Sequence, residues 1–274
     1  MSQPLPGPEA GFEDKWLARE PEMRLALVFV PAAWQARHRA WAALLHELRE
    51  SLFELSDASV GAAKRAWWAE ELLATERGAA RHPLTRALPA RLPWRDLAMT
   101  LPAGPGEDRH AEPDRTIAAL VPLAEPVIAV EAALFSARAG HDASQALAVH
   151  WLLERMAVGL GSDDGGRLPM RLLARHGVTA DQLAAQHSTA QHDTGRQGAA
   201  FGHPALREWS AILHSALPRD LSGGAPLRCQ RLAFDRARLA RLARGAGWPR
   251  RLDLATVFRA WTASRRAVQL ARLD

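Results

Sequence analysis

Residues 37–56 carry Trp41, Leu44, Leu45, Leu48, Leu52 and Leu55 at spacings of 3, 4, 7, 11 and 14 from the first, a single apolar stripe along an α-helix. A stripe that regular must be covered by other elements, so the fold has to be built on helix packing. Glu50 falls opposite it. A second pattern lies in 142–160. Ala146, Val149, Leu153, Met156 and Leu160 form one face there, and Ala148, Leu152, Arg155 and Gly159 form another. Apolar faces that broad predict a helix buried on most sides.

The remaining chain reads as more helix. Residues 61–76 form a helix behind the capping residues Asp57 and Ser59, and 84–99 form a weaker one interrupted by Pro89 and Pro93. A turn-rich loop over 101–115 precedes helix at 116–139, with Pro122 and Pro126 setting its start or a kink. Helix resumes over 171–185, broken by Gly177, followed by a polar loop over 186–198 and helices at 203–217, 230–244 and 253–272. No segment alternates as a half-buried strand would, and no internal repeat is visible. The expected fold is all-α: a flexible tail over 1–15, then one domain over 16–274.

Composition narrows the function classes. The chain is 48% hydrophobic and 24% charged, the balance of a folded protein. A single cysteine, Cys229, excludes a disulfide framework and any multi-cysteine zinc or iron–sulfur site. No run of 18 apolar residues lacks a charge, and the start is polar and proline-rich, so the expected location is cytoplasmic, with peripheral contact at the inner membrane left open. Of 35 basic residues only Lys15 and Lys64 are lysine, and the net charge of +5 is too mild to imply nucleic acid as a partner. Its distribution says more. Residues 207–274 hold 14 arginines against five acids, a surplus of +9 that leaves −4 on residues 1–206. That block reads as a face for anionic lipid or an acidic protein, with Arg231, Arg238, Arg241, Arg265 and Arg266 as its candidates, or as arginines on solvated helix faces.

Generic chemical motifs are absent: no GxGxxG, P-loop, GxSxG or HExxH. His187 and His192 are five apart without a third ligand, and Asp163 and Asp164 beside glycines read as a turn. His46, Glu47, Glu50 and Glu54 share the non-core side of one helix, either a site or a wet face. These residues alone assign no catalytic group.

Three stretches together carry a resemblance. MRLALVFVPAAWQARHRAWAALLHEL (23–48), KRAWWAEELLATERGAARHPLTRAL (64–88) and GRLPMRLLARHGVTADQL (166–183) are ordered and spaced as in the squalene/phytoene synthase family, and WTASRR (261–266) is a weaker echo of its closing helix. The resemblance implies an isoprenoid-synthase-like helical bundle around a central cavity. In active members two aspartate-rich helical motifs face each other there and hold Mg²⁺, which neutralises the diphosphate of a prenyl substrate as it leaves. Carboxylates suit Mg²⁺ because it demands hard oxygen ligands.

This sequence departs at those motifs. Aligning HELRESLFEL (46–55) on the first puts Arg49, Glu50 and Phe53 at the aspartate positions, with Glu54 one turn on. Aligning WLLERMAVG (151–159) on the second puts Arg155 and Gly159 there. A guanidinium ~5 Å from a divalent ion, at an effective dielectric of about 20, repels it by roughly 6–7 kcal/mol before screening.

Two functions therefore stand against each other. One is a degenerate member without cofactor, a prenyl-lipid-binding or assembly factor similar to the branch that assembles respiratory complex I. The other is a Mg²⁺-dependent enzyme joining two prenyl diphosphates head to head. Arg167, in the matched Gly-Arg pair, is the candidate contact to a diphosphate anion or a member of a structural ion pair. Arg155 is expected either to bridge to Glu50 or Glu54 or to reach solvent unpaired. Trp67 and Trp68 are expected in the core, Glu70 and Glu71 on the helix surface or in ion pairs, His82–Pro83 at a turn that begins a helix, and His176–Gly177 at a helix end.

Overall fold

Proline and aspartate set the helix boundaries of the computed structural model, which describes residues 9–106, 109–192, 202–248 and 253–270, with no side chains given for 187–192. In chain order the helices are α1 Ala10–Arg19, α2 Met23–Leu27, α3 Ala32–Phe53, α4 Ala58–Glu76, α5 Pro83–Arg86, α6 Trp94–Thr100, α7 Pro113–Ala118, α8 Val121–Phe135, α9 His141–Val158, α10 Met170–Arg175, α11 Ala180–His192, α12 Pro204–Ala216, α13 Pro226–Ala243 and α14 Leu254–Leu270. Among the described residues there is no strand, and the fold is all-α. No helix among them is long and apolar enough to cross a membrane.

Local chemistry explains most boundaries. Pro31 caps α3, five residues earlier than the stripe alone suggests. The Asp57 carboxylate accepts the Ser59 and Val60 amides at the start of α4. Proline takes the first turn of α5, α7, α8, α12 and α13, where a missing N–H costs nothing. His82 caps α5 through its ring nitrogen, and His176–Gly177 closes α10 with Gly177 at φ 58°, both as the sequence suggests.

Several expectations need correction. α1 begins at Ala10, inside the stretch expected as tail. Phe12 and Trp16, one helical turn apart, anchor it: Trp16 is fully buried and Phe12 packs edge-on against His82, with ring centres 4.7 Å apart. The stretch 84–99 divides into α5 and α6, and 116–139 divides at Ala119–Leu120 with Pro126 held inside α8. Residues 186–192, including His187 and His192, continue α11 instead of forming a loop; the rest of that expected loop, 193–198, lies outside the described residues.

The core runs through α3, α8, α9 and α13. A buried polar knot ties three of them, with Glu131 on α8 accepting from Trp41 Nε1 of α3 at 3.1 Å and pairing with Arg228 of α13 at 3.0 Å. α9 is buried from Ala143 to Met156, as its broad apolar pattern predicts. α3 and α9 meet through long side chains instead of close backbone approach: Phe53 and Trp151 rings lie 5.7 Å apart, and Arg49 reaches Glu154 at 3.7 Å.

Candidate functional site

Arg49 is almost fully buried between α3 and α9 and stands at the centre of a network of charges. Its guanidinium lies 3.2 Å from Glu54, 3.6 Å from Glu20 and 3.7 Å from Glu154. Glu20 in turn takes a two-pronged contact from Arg231 at 2.8 and 2.9 Å, the planar fork matching the carboxylate. Arg238 pairs with Glu22 and approaches Asp235 at 3.8 Å, and His150 Nδ1 lies 3.0 Å from Asp235. Burial would raise the Glu20 carboxyl, but Arg231, His150 and Arg49 together pull it far below the ordinary carboxylate range. A small void against Glu20, Arg49, His150 and Arg231 holds about 10 Å³, room for at most a single water. Ion pairs join the facing sides of α3 and α9.

The arginines of the C-terminal quarter divide accordingly. Arg231 and Arg238, expected on the surface, are buried partners of Glu20 and Glu22. Arg241, Arg265 and Arg266 are exposed. The charge surplus of 207–274 is therefore partly an internal counter-charge to the N-terminal acids.

A true pocket of about 730 Å³ opens at the C-terminal ends of α3 and α9, against the start of α4 and the turns at 101–106 and 162–167. It brings together Phe53, Glu54, Arg155 and Arg167 with the turn residues Asp163 and Asp164, all singled out from the sequence, and adds Arg65. Arg155 does not cross to Glu50 or Glu54. It turns back to Asp164 at 2.5 Å and to the Ser162 hydroxyl. Gly159 makes this return possible, because a Cβ there would fall on the Arg155 guanidinium. Asp164 also accepts the Gly166 amide at 3.1 Å, so the turn expected at Asp163–Asp164 is present and its second carboxylate does double duty.

Arg167 is buried in an αL conformation at φ 56°, a backbone that costs a non-glycine residue about 1–2 kcal/mol. Its guanidinium donates to the Gly106 carbonyl, lies 3.6 Å from Asp164 and sits 5.9 Å from the Phe53 ring centre. Burial, with Arg155 nearby, lowers its pKa from the ordinary value against the pull of Asp164. Arg65 donates to the Ser51 carbonyl at 3.2 Å. Each of Arg65, Arg155 and Arg167 holds a buried Nε hydrogen without an acceptor. The pocket lining thus carries three guanidiniums, Arg65, Arg155 and Arg167, and three carboxylates, Glu54, Asp163 and Asp164.

Glu50 leaves this set. It turns away from the pocket with Glu47 and meets both lysines of the chain: Lys64 lies 3.2 Å from Glu47 and 3.3 Å from Glu50, and Lys15 lies 2.9 Å from Glu47 and contacts Glu50. Burial tends to raise the Glu50 carboxyl, but the two ammonium groups bring it below its ordinary value. His46, Glu47 and Glu50 place ligand atoms within 4.8 Å of one another. Their negative charge is already answered by the lysines, and they offer no unspent carboxylate to a cation.

The residues at the expected Mg²⁺ positions do not fit that ion. Arg49 and Arg155 are cations committed to carboxylates, and Phe53 and Gly159 offer no side-chain oxygen. The tryptophan pair also divides: Trp68 is buried, whereas Trp67 is half-exposed beside it. Glu71 is fully buried and held in an ion pair with Arg81 at 3.1 Å, whereas Glu70 is exposed on the helix surface. Sequence reasoning missed Arg65 and Glu20 as site residues and read Asp164 only as part of a turn. No family model matches the sequence, and no curated protein matches it.

Proposed function

We propose that this protein is a catalytically inactive relative of the squalene/phytoene synthases that binds a prenyl lipid by its anionic head, as a carrier or assembly factor at the inner face of a membrane. The observation that supports this reading is the pairing of Arg155 with Asp164 over Gly159. It places a guanidinium where the resemblance leads one to expect a metal-binding carboxylate. Arg65, Arg155 and Arg167 then supply the positive charge that Mg²⁺ would otherwise supply, through donors shaped for a diphosphate.

Two of these guanidiniums are held in place by the chain itself. Arg167 is fixed by the Gly106 carbonyl and Arg155 by Asp164, so their charges are pre-positioned. Phe53 and Leu52 give an apolar wall beside them.

Titration calorimetry with farnesyl diphosphate tests the proposal. Binding should be unchanged by millimolar Mg²⁺ and weakened at least about tenfold by Arg167→Ala, the loss of one charge-assisted contact. No pyrophosphate should appear. Mg²⁺-dependent pyrophosphate release would replace this reading with that of a working head-to-head prenyltransferase.

A further inference from the structure

A second cavity, separate from the anion pocket, runs between α13 and α14 and under the loop that joins α12 to α13. It encloses about 580 Å³, within the usual range of small-molecule sites. Leu221, Leu232, Ala263, Ala267 and Leu270 give it an apolar floor, and four guanidiniums border it against one acid, Asp220.

Those four arginines are not equally engaged. Arg236 donates to the Leu217 and Pro218 carbonyls at 3.3 and 3.0 Å, holding the loop that carries Arg219. Arg259 donates only to Thr256 Oγ1, at 2.9 Å. Arg219 and Arg266 make no hydrogen bond and no ion pair among the described residues, and Arg219, Arg259 and Arg266 are exposed at the rim. Elsewhere, buried arginines of the same helix, Arg228, Arg231 and Arg238, each hold a carboxylate. The cavity between α13 and α14 thus has an excess of positive charge at its edge, four arginines against Asp220. Beside it lies a mainly apolar lining in which the other polar side chains, Ser222, Thr262 and Gln269, are uncharged. The thiol of Cys229 reinforces that contrast, since burial pushes it up to about 12 and keeps it neutral.

We infer that this groove binds a single-chain anionic amphiphile, its phosphate or carboxylate head between Arg219, Arg259 and Arg266 and its chain along the floor toward Leu270. From Arg259 to Leu270 the helix advances about 16 Å, enough for an extended chain of about a dozen carbons. A bare anion would gain the arginines but leave the floor wet. The inference does not depend on the reading of the α3–α9 pocket, which shares no residue with this groove.

The experiment titrates the full chain with dodecyl phosphate and laurate below their micelle concentrations, with inorganic phosphate, and with phosphatidylglycerol vesicles. The amphiphiles should bind with one-to-one stoichiometry at this groove; inorganic phosphate should not bind. Arg259→Glu together with Arg266→Glu, both at exposed positions, should weaken binding at least tenfold. Ala263→Trp should abolish it by filling the groove while the charges remain, and Arg167→Ala should leave it intact. Equal amphiphile binding by Ala263→Trp and the parent chain overturns the inference. So does flotation on vesicles without binding of either free amphiphile, which would assign the arginines to a membrane surface. Loss of binding in Arg167→Ala with retention in Ala263→Trp would move the amphiphile to the other pocket and overturn it equally.

Discussion

The Arg155 guanidinium lies 2.5 Å from the Asp164 carboxylate, nine residues along the same chain, and not across the bundle at Glu50. A helix end and the turn that follows it have closed on each other. The charge most out of place at an apparent metal position is therefore satisfied locally, and the two motif helices are free to share a different network centred on Arg49.

Asp164→Asn should destabilise the protein by about 2 kcal/mol, because the nearly buried Arg155 loses its counter-charge. Glu50→Ala should cost less than about 1 kcal/mol, since Lys15 and Lys64 keep Glu47 and are themselves partly solvated. Urea denaturation of both variants checks the order. A larger loss in Glu50→Ala would restore the cross-bundle bridge.

Acid should weaken the fold well above the carboxylate range. His46 is pushed down to about 4 by burial and by Arg49, and His38 to about 3 by burial and by Arg231 and Arg39. In the unfolded chain both take protons near 6.5. Below that pH the unfolded state binds protons the folded state refuses, so each histidine removes about 1.4 kcal/mol of stability per pH unit until its folded value is reached. Glu20 adds a loss at lower pH: its lowered carboxyl stabilises the fold above the ordinary 4.5, and that contribution fades as pH falls through the lowered value. Denaturation midpoints should be level from pH 8 to about 7 and fall steeply toward 5.

His38 itself is a weak point. It is fully buried on α3, its ring 5.8 Å from that of Phe135, and both ring nitrogens lack a hydrogen-bond partner. Replacing it by leucine removes two unsatisfied polar atoms at similar volume. His38→Leu should stabilise the protein by about 1 kcal/mol at pH 7 and reduce its acid sensitivity. A lower midpoint at pH 7 would mean that an ordered water meets the ring.

Glu71 should be far less replaceable than its neighbour Glu70, which is exposed. Its carboxylate accepts the Arg81 and His82 amides at 2.8 Å each, the Thr85 hydroxyl at 2.6 Å and Arg81 Nε at 3.1 Å. Burial would raise it, but these donors bring it below its ordinary value. Glu71→Ala should cost about 3 kcal/mol by orphaning the donors that start α5, whereas Glu70→Ala should stay within about 0.5 kcal/mol.

The helices were readable where periodicity was long and apolar. The stripes on α3 and α9 mark core helices because burial enforces that spacing. α1 hid behind prolines and charges: its apolar signal is only Phe12, Trp16 and Leu17, too short to stand out from a polar leader. At the candidate site, Arg155 and Arg167 were found through motif spacing, but their partners were not. Asp164 acts through a turn whose shape depends on three consecutive positive-φ residues, Gly165, Gly166 and Arg167, a conformation the sequence does not announce. The buried Arg231 and Arg238 read as surface charge because their partners, Glu20 and Glu22, lie more than 200 residues away in sequence.

Gly159 ties the shape of this turn to two other positions. A Cβ there would fall on the Arg155 guanidinium, so any side chain at 159 makes the arginine move. An arginine moved from its place beside Asp164 leaves the turn after α9 without its clasp. Positions 155, 159 and 164 are therefore one mechanical unit, and the effects of substitutions within it should not add.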